Sequence, residues 1–299
     1  MKMNRNLGEI IFDLFNHGML LFWAVVTIYP LLFVLFSSLS KADELSSHRG
    51  LLLYPLGLDF NAYQRVIENP MILRGYLNTI IVVVGGTALN IFMTSLAAYF
   101  LSRKNVFWKN PIMFMITVTM FFSGGMIPHY LVVSQLGLRN SLLALIIPGA
   151  VSAYNIIVMR TSIMGIPDSL EESAFLDGAN NMDVLIKIIL PLSKSILAVM
   201  ALWYGVGHWN AWLNAAIYLD DRKLYPIQLI LREILITNTS ALRHSLYSMT
   251  TSANTGEEAQ IAETIKHATV IIATVPILCV YPFLQKHFVK GVMIGALKG

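Results

Sequence analysis

The sequence predicts an all-α integral membrane protein with six transmembrane helices, on two observations. Apolar residues make up 56% of the 299 residues and charged residues only 13%, whereas a soluble globular domain carries roughly 25% charge. Six stretches also lack Asp, Glu, Lys and Arg over more than about eighteen residues, a length typical of membrane-spanning helices. These features exclude a disordered chain and a soluble nucleic-acid binder, and they make membrane lipid the expected solvent. The single cysteine excludes an internal disulfide and a cysteine metal cluster.

The six uncharged stretches define the predicted spans in chain order. They are Leu14–Ser40, Gly75–Ser102, Asn110–Leu138, Asn140–Met159, Ser195–Leu219 and His267–Gln285. Each is long enough to cross about 30 Å of hydrocarbon as a helix. Helices are expected because they satisfy their own backbone hydrogen bonds in lipid, whereas the strands of a β-barrel alternate over only about ten residues.

The first span is expected to be retained, because it is too long for a signal peptide and no small-residue cleavage site follows it. The segment before it carries apolar residues at helical spacing. These residues are Leu7, Ile10, Ile11, Leu14 and Phe15. Glu9 and Asp13 fall on the opposite face, so a short helix lying in the membrane interface is expected here.

The orientation in the membrane follows from Lys and Arg in the short loops. The loop after the second span holds Arg103, Lys104 and Lys109, and the C-terminal tail is basic without acids. Both termini are therefore predicted to lie in the cytoplasm. The expected layout is an N-terminal segment 1–13, a six-span domain 14–285 and a tail 286–299, with a cytoplasmic loop at 160–194 and an outer loop at 220–266.

The cytoplasmic loop 160–194 has the signals of two short helices joined by a glycine. Ser169 and Glu172 have the spacing of a capping box, which predicts a helix from about 170 to 177. Gly178 is expected to end this helix, because a residue without Cβ adopts the left-handed conformation at low cost. The predicted object is a helix–glycine–helix hook that protrudes between the fourth and fifth spans.

The second helix of this hook is expected to begin at Asn180 or Asn181 and to close at Pro191. Two interpretations of the hook remain open. It is either an amphipathic connector that packs on its own bundle, or a docking element for a soluble partner. Docking would use small and aromatic residues of the first helix and the turn, namely Ala174, Phe175 and Ala179.

The hook resembles the EAA motif of the permeases of ATP-binding-cassette (ABC) importers. That motif reads Glu-Ala-Ala, three residues, Gly, nine residues, Ile, one residue, Leu-Pro. The matching residues here are Glu172, Ser173, Ala174, Gly178, Ile188, Leu190 and Pro191, and Asp177 and Ala179 extend the match. Ser173 stands where the middle Ala is usual, and Ser195 stands where a Pro is common. Because Ser173 is small, docking should survive that change.

The resemblance extends over nearly the whole chain. The six spans, the first outer loop, the hook and the C-terminal residues are similar to the MalG-type half of a carbohydrate importer. The tail and the long outer loop 220–266 resemble those of the LplC/YtcP subgroup, which is associated with oligosaccharide uptake. The resemblance therefore implies a permease of the bacterial cytoplasmic membrane that moves a carbohydrate, expected to be an oligosaccharide, into the cell.

The resemblance also implies several partner chains. A second six-span permease would complete the translocation path, usually as a heterodimer, and two cytoplasmic ATPases would bind the hooks. An extracytoplasmic sugar-binding protein, expected to be a lipoprotein, would deliver the sugar. Glu172 would meet a basic residue of the ATPase, and Gly178 would form the turn between the coupling helices. The tail residues that would enter the ATPase dimer interface are Gly295, Ala296, Leu297, Lys298 and Gly299.

Neither an ATP site nor a catalytic or metal site is expected in this chain. It contains no G-x-x-x-x-G-K-[ST] segment, and its histidines lack the H-E-x-x-H spacing. No resident cofactor is expected, because ATP and Mg²⁺ would be used by the partner ATPases. The spans contain no charged residues, which disfavours a proton-coupled secondary transporter. A permease of the same fold for a non-sugar solute remains the alternative.

The fifth span holds the best candidates for contacts with a sugar, because it combines aromatic rings with amide groups. One helical face carries Trp203, Gly207, Asn210 and Asn214, and the adjacent face carries Tyr204, His208 and Ala211. The amide face, with Asn210 first, is favoured, and Asn155 in the fourth span is a further candidate. The alternative for the aromatic residues is a belt at the membrane interface.

Overall fold

The structure, a computed structural model, describes residues 7–236, 261–279 and 282. Every regular element in these residues is a helix, apart from an isolated antiparallel bridge between Ser40 and Leu58. The predicted all-α fold is therefore confirmed.

The chain divides into two compact units, of which the first comprises Met1–Asn69 and Glu233–Thr274. Its helices in the first stretch are α1 (Leu7–Ser38), α2 (Ala42–Ser47) and α3 (Asn61–Ile67). The hydroxyls of Ser38 and Tyr63 lie 2.7 Å apart, and this contact joins α1 to α3.

Helix α1 is continuous from Leu7 to Ser38, so the prediction of a separate interfacial helix before the first span is wrong. No proline interrupts the chain before Pro30, and the preceding apolar positions keep helical spacing. The segment Ile11–Ser38 is apolar enough to cross a membrane, and none of its most apolar window is buried within the chain. Its surface therefore requires lipid or another chain as its neighbour.

The second unit comprises Pro70–Arg232 and Val275–Gly299. Its helices up to the hook are α4 (Pro70–Ser102), α5 (Lys109–Phe121), α6 (Met126–Gln135), α7 (Leu143–Ile146) and α8 (Ala153–Ile163). The hook consists of α9 (Asp168–Leu176), α10 (Asn181–Val184), a π-helical turn (Leu185–Ile189) and α11 (Leu190–Leu192). The helices after it are α12 (Lys194–Trp209), α13 (Trp212–Tyr218) and a 3₁₀ turn (Arg222–Leu224). Two further helices are 227–236 and Ile261–Cys279.

Single long helices account for only part of the predicted spans. Among the described residues, Ile11–Ser38, α4 and Ile261–Cys279 are each long and apolar enough to cross a membrane alone. The third predicted span is instead the pair α5 and α6, bent by 117°. The bend falls at 122–125, where Gly125 has a φ of +83° that a residue with a side chain rarely adopts.

The fourth and fifth predicted spans are also interrupted. Between α7 and α8 the chain is non-helical around Gly149, and between α12 and α13 it breaks at 210–211. The expectation of one unbroken helix for each apolar stretch is therefore wrong for these stretches. Apolar composition predicts which stretches enter lipid, but it does not reveal local breaks in the backbone. The count of six spans stays a prediction.

Helix α4 is the axis of the second unit and packs against α8 and α12. Its 33 residues span about 50 Å. Near its N-terminal end the Asn78 side-chain amide donates hydrogen bonds to the carbonyls of Lys223 and Tyr225, at 2.8 and 3.1 Å. The Thr79 hydroxyl accepts the backbone N–H of Ile227 at 2.8 Å. This end of α4 is thereby fixed to the segment after α13.

The other end of α4 packs against the hook. A buried apolar cluster there, which we call the hook core, comprises Ala98, Tyr99, Met159, Ile163, Val184, Leu185, Ile189, Met200 and Tyr204. These residues come from α4, α8, the second part of the hook and α12. The hook is therefore joined to the membrane helices by a shared hydrophobic core.

Candidate functional site

The first hook helix, α9, begins at Asp168, one residue after Pro167. The predicted capping box at Ser169 is wrong, because Ser169 lies inside the helix and no side chain caps its N-terminus. Pro167 holds an extended backbone that starts the helix. The carboxylates of Asp168 and Glu171 lie in the first turn, where the positive end of the helix dipole favours acids.

Gly178 ends this helix, as predicted. It has a φ of +84°, in the left-handed region. Its N–H donates to the carbonyl of Phe175 at 3.1 Å, and the N–H of Ala179 donates to the carbonyl of Ala174 at 2.9 Å. This pair of bonds is the Schellman motif. A Cβ at position 178 would meet no atom within 4 Å, so backbone conformation alone selects glycine here.

The second hook helix begins after Asn180, which settles the choice between the two candidate caps. The Asn180 carboxamide oxygen accepts the backbone N–H groups of Met182 and Asp183, both at 2.9 Å. The Asp183 carboxylate accepts the Asn180 N–H in return, at 3.5 Å, which completes a capping box. Lys187 lies 2.5 Å from Asp183, and its hydrogen bond lowers the pKa of that carboxyl.

A π-helical turn at Leu185–Ile189 widens this helix just before Pro191. Pro191 has no N–H to offer the carbonyl four residues earlier, and its ring would clash with that carbonyl in a regular α-helix. The helix continues to Leu192, one residue beyond the predicted end. It then turns by 85° into α12 at Ser193.

The hook presents two different faces. Glu172, Ser173 and Asp177 are exposed, whereas Ala174 and Ala179 are partly buried and pack against the hook core. The small side chains of the motif therefore permit close packing within this chain rather than only against a partner. Of the other motif positions, Leu190 also packs against the hook core, Ile188 is half-buried and Pro191 is exposed.

Two ion pairs join α9 to the loop after α4. The Arg103 guanidinium pairs with Glu171, whose residue is only 6% exposed. The Lys104 ammonium pairs with the exposed Asp168, and this bond lowers the pKa of Asp168 and raises that of Lys104. The sequence did not reveal these pairs, although two adjacent bases in a short loop and two acids three residues apart are a readable signal.

A cavity of about 260 Å³ lies beside α12. Its lining comprises His129, Ala144, Leu145, Pro148, Gly149, Trp203, Tyr204, Gly207, His208, Ala211, Asn214 and Tyr218. Both predicted faces of the fifth span contribute, through Trp203, Gly207 and Asn214 on one side and Tyr204, His208 and Ala211 on the other. Asn210 and Asn155 are not among the lining residues.

The polar groups of two predicted path residues bond to α4. The Tyr204 hydroxyl lies 2.7 Å from the Thr94 hydroxyl, and His208 Nε2 lies 2.7 Å from Asn90 Oδ1. These contacts tie α12 to α4, a role for polar side chains between membrane helices. The rings of both residues still line the cavity. The contact between Thr94 and Tyr204 was not predicted from the sequence.

Other predicted path residues occupy different positions. Trp203 is 39% exposed, and its ring centroid lies 5.5 Å from that of Tyr154. The Asn214 side chain is exposed and makes no hydrogen bond within the described part of the chain. Asn210 is the exposed C-cap of α12, and Asn155 is buried in the first turn of α8. The cavity therefore favours Trp203 and Asn214 as free contact groups.

The predicted site in the C-terminal tail lies outside the described residues. The tail residues Gly295, Ala296, Leu297, Lys298 and Gly299 lie beyond the residues that the structure describes. Within those residues, no group of three or more His, Cys, Asp or Glu side chains could hold a metal ion.

Similarity to known proteins identifies the family of this chain. No family model matches the sequence. The chain is 40% identical to the polygalacturonan/rhamnogalacturonan transport system permease protein YtcP of Bacillus subtilis, over 97% of this chain and 99% of that protein. It is 39% identical to Protein LplC of the same organism, over 99% and 97% of the two chains.

A solved structure agrees with these relatives. A chain of a bacterial ABC transporter involved in the import of the acidic polysaccharide alginate matches with a TM-score of 0.84 and 29% identity, over 95% of this chain and 99% of that chain. The apolar helices and the exposed EAA-like hook are consistent with these similarities. The chain therefore belongs to the family of membrane-embedded permease subunits of ABC carbohydrate importers.

Proposed function

We propose that this permease moves an oligosaccharide into the cell and that the 260 Å³ cavity beside α12 lies on the path of the sugar. The observation that carries this proposal is the cavity lining, where the part-exposed ring of Trp203 and the free amide of Asn214 occur together. Aromatic rings pack against the apolar faces of sugars, and amides bond to their hydroxyl groups.

The size and charge of the cavity support the same proposal. It is slightly smaller than the about 300–1,000 Å³ of complete ligand pockets, as expected for one half of a path that two permeases share. Among the described residues, those that line it include two histidines, His129 and His208, and no Asp, Glu, Lys or Arg. A neutral sugar can therefore bind without removing water from a fixed charge of the lining. The carboxylate of an acidic sugar meets no negative charge there that would repel it.

The proposed assembly contains four further chains. A second six-span permease would complete the path, and two ATPases would dock on the hooks through the exposed Glu172 and Asp177. An extracytoplasmic sugar-binding protein, expected to be a lipoprotein, would deliver the substrate. The neighbouring acids Glu171 and Asp168 pair with Arg103 and Lys104. Among the described residues, Glu172 and Asp177 form no ion pair of their own and stay exposed for docking.

Energy would come from the ATPases, which would bind the ATP and Mg²⁺. This chain would bind neither and would hold no resident cofactor. We place the hook and both termini in the cytoplasm of the bacterial cell, with the tail from Gly295 to Gly299 contacting the ATPase dimer. The basic loop Arg103–Lys109 supports this orientation.

The substrate class follows from the relatives by analogy. YtcP is named for polygalacturonan and rhamnogalacturonan, and the matching structure belongs to an importer of the acidic polysaccharide alginate. An oligogalacturonide is therefore the first substrate to test, and a malto-oligosaccharide is the neutral comparison. The described residues that line the cavity carry no carboxylate, which is compatible with both.

The test is uptake into proteoliposomes that contain the complete transporter. The chain should co-purify with its partner permease and an ATPase, and ATP should drive uptake of a labelled oligosaccharide. The isolated chain should neither bind nor hydrolyse ATP. Hydrolysis by the isolated chain, or a complete complex that imports neither oligosaccharide while importing an amino acid or phosphate, would refute the proposal.

A further inference from the structure

The loop after α4 contacts the hook through two ion pairs that differ sharply in environment. In the Arg103–Glu171 pair the side chains are 21% and 8% exposed. In the Lys104–Asp168 pair they are 77% and 54% exposed. Breaking a buried ion pair costs much free energy, because each charge is left without either water or its partner. Breaking an exposed ion pair costs little, because water replaces the partner. Of the two ion pairs, the buried one is therefore the contact that can hold the first hook helix in place.

Arg103 is itself fixed to the end of α4. Its guanidinium carbon lies 4.6 Å from the centre of the Tyr99 ring, and its Nη2 donates to the Ser102 hydroxyl at 2.9 Å. A guanidinium that stacks on one group and bonds to two others has little freedom to follow a moving partner. Glu171 is thus bound to a group that moves only with α4.

Helix α4 also contacts the cavity residues. The Asn90–His208 and Thr94–Tyr204 bonds join α4 to α12 at the cavity. Asn90 lies thirteen residues before Arg103, or about 20 Å along the helix. A movement of the end of α4 would therefore reach His208 and Tyr204 through one rigid element.

We propose that the Arg103–Glu171 pair is a positioning contact that makes the first hook helix and α4 move together. The hook is covalently continuous with α12 through the bend at Ser193. The second hook helix also packs against α4 in the hook core. The ion pair adds a route from α9, through Arg103 and α4, to the cavity. This inference rests on the proposed docking of an ATPase on the hook, and it assigns a role to Glu171 rather than to the neighbouring motif residue Glu172.

The experiment measures uptake of labelled oligogalacturonide per ATP hydrolysed by the reconstituted complex. The variants are Glu171→Gln and the charge exchange Arg103→Glu with Glu171→Arg. Lys104→Gln is the matched control, because it removes the exposed pair between the same loop and the same helix. Wild-type uptake and co-purification of the ATPase are established first, so failure of the proposed function is recognised before the variants are compared.

We expect Glu171→Gln to assemble and to keep its basal ATP hydrolysis, while uptake per ATP falls by about fivefold or more, the usual scale of a coupling contact. The charge exchange should recover part of that loss, and Lys104→Gln should match the wild type. A role limited to folding would lower the amount of assembled complex and leave the ratio of uptake to hydrolysis unchanged. An unchanged ratio in Glu171→Gln would overturn the inference.

A covalent bridge keeps the inference testable should the variants fail to assemble. Cysteines replace Arg103 and Glu171 in a Cys279→Ser background, and a short bifunctional thiol reagent joins them after assembly. If α9 and α4 move together, the bridged transporter should import sugar at least as well as the same variant without the reagent. Loss of uptake on bridging would show that the two elements must separate, and this would contradict the inference.

Discussion

His208 Nε2 lies 2.7 Å from the carboxamide oxygen of Asn90, and this distance defines what the imidazole can offer a substrate. The Asn90 amide nitrogen donates to the carbonyl of Gly149, so its oxygen is the acceptor for His208. A neutral imidazole that donates through Nε2 has an acceptor at Nδ1. The ring can therefore accept a hydrogen bond from a sugar hydroxyl while it holds α12 against α4.

Replacement of Asn90 should weaken this junction. Asn90 is fully buried, and Asn90→Leu removes both its bond to His208 and its bond to the Gly149 carbonyl. We expect about 1–2 kcal/mol of lost stability, the scale of interhelical hydrogen bonds in a membrane protein. The measurement is the thermal unfolding midpoint of the purified complex. Asn78→Leu, which disrupts bonds at the far end of α4, should destabilise without altering apparent sugar affinity. An Asn90→Leu variant with wild-type stability would contradict the role of this bond.

The contact between α4 and His208 can also be tested by adding a methyl group at Gly86. A Cβ at position 86 would lie 2.5 Å from His208 Nε2, whereas a Cβ at Gly85 would lie 3.6 Å from its nearest neighbour, Ile146. Gly86→Ala should displace the imidazole and destabilise the complex, and Gly85→Ala should be tolerated. In a His208→Ala background, Gly86→Ala should cause little further loss. Equal losses in both backgrounds would show that His208 is not the group displaced.

The fifth span has two exposed amides, and only one of them, Asn214, lines the cavity, so the two variants can be compared. We expect Asn214→Leu to reduce uptake of the native sugar by about five- to a hundredfold, because one or two hydrogen bonds are lost. Asn210 lies outside the cavity lining, so Asn210→Leu should transport nearly normally. Both variants should retain assembly and basal ATPase activity. The reverse pattern of uptake would restore the sequence-based preference for Asn210.

Gly178 permits a clean test of the hook turn. Because a Cβ there has free space, Gly178→Val acts only through its backbone preference, at a cost of about 1 kcal/mol or more. We expect this variant to reach the membrane but to lose uptake. Gly178→Asn should retain uptake, because asparagine tolerates the left-handed conformation. Normal uptake by Gly178→Val would argue against a coupling role for this turn.

Local signals allowed the hook to be predicted closely. Gly178 and Asn180 act through their own backbone and neighbours, so residue type and spacing were sufficient. The capping box at Ser169 failed because Pro167 starts the helix one residue earlier. Which of the two residues, Pro167 or Ser169, starts the helix depends on the backbone path into it, and a short sequence pattern does not reveal this path.

The cavity and the ion pairs were harder to predict, because they depend on residues far apart in the chain. Asn90 and His208 are 118 residues apart, and Lys104 and Asp168 are 64 apart. Helical spacing grouped Asn210 with Trp203 and Asn214, but α12 ends at Trp209 and the regular spacing stops there. The break at 210–211 therefore moved Asn210 away from its predicted neighbours.

The 85° turn at Ser193 makes the second hook helix a lever arm on α12. Twelve helical residues from Asn181 to Leu192 give an arm of about 18 Å. A sideways displacement of its tip by about 3 Å would rotate α12 about its own long axis by about 10°. Side chains about 5 Å from that axis would move by less than about 1 Å, with force multiplied roughly three- to fourfold. The right angle thus converts a wide, weak displacement at the tip of the hook into a short, strong displacement of the side chains around α12.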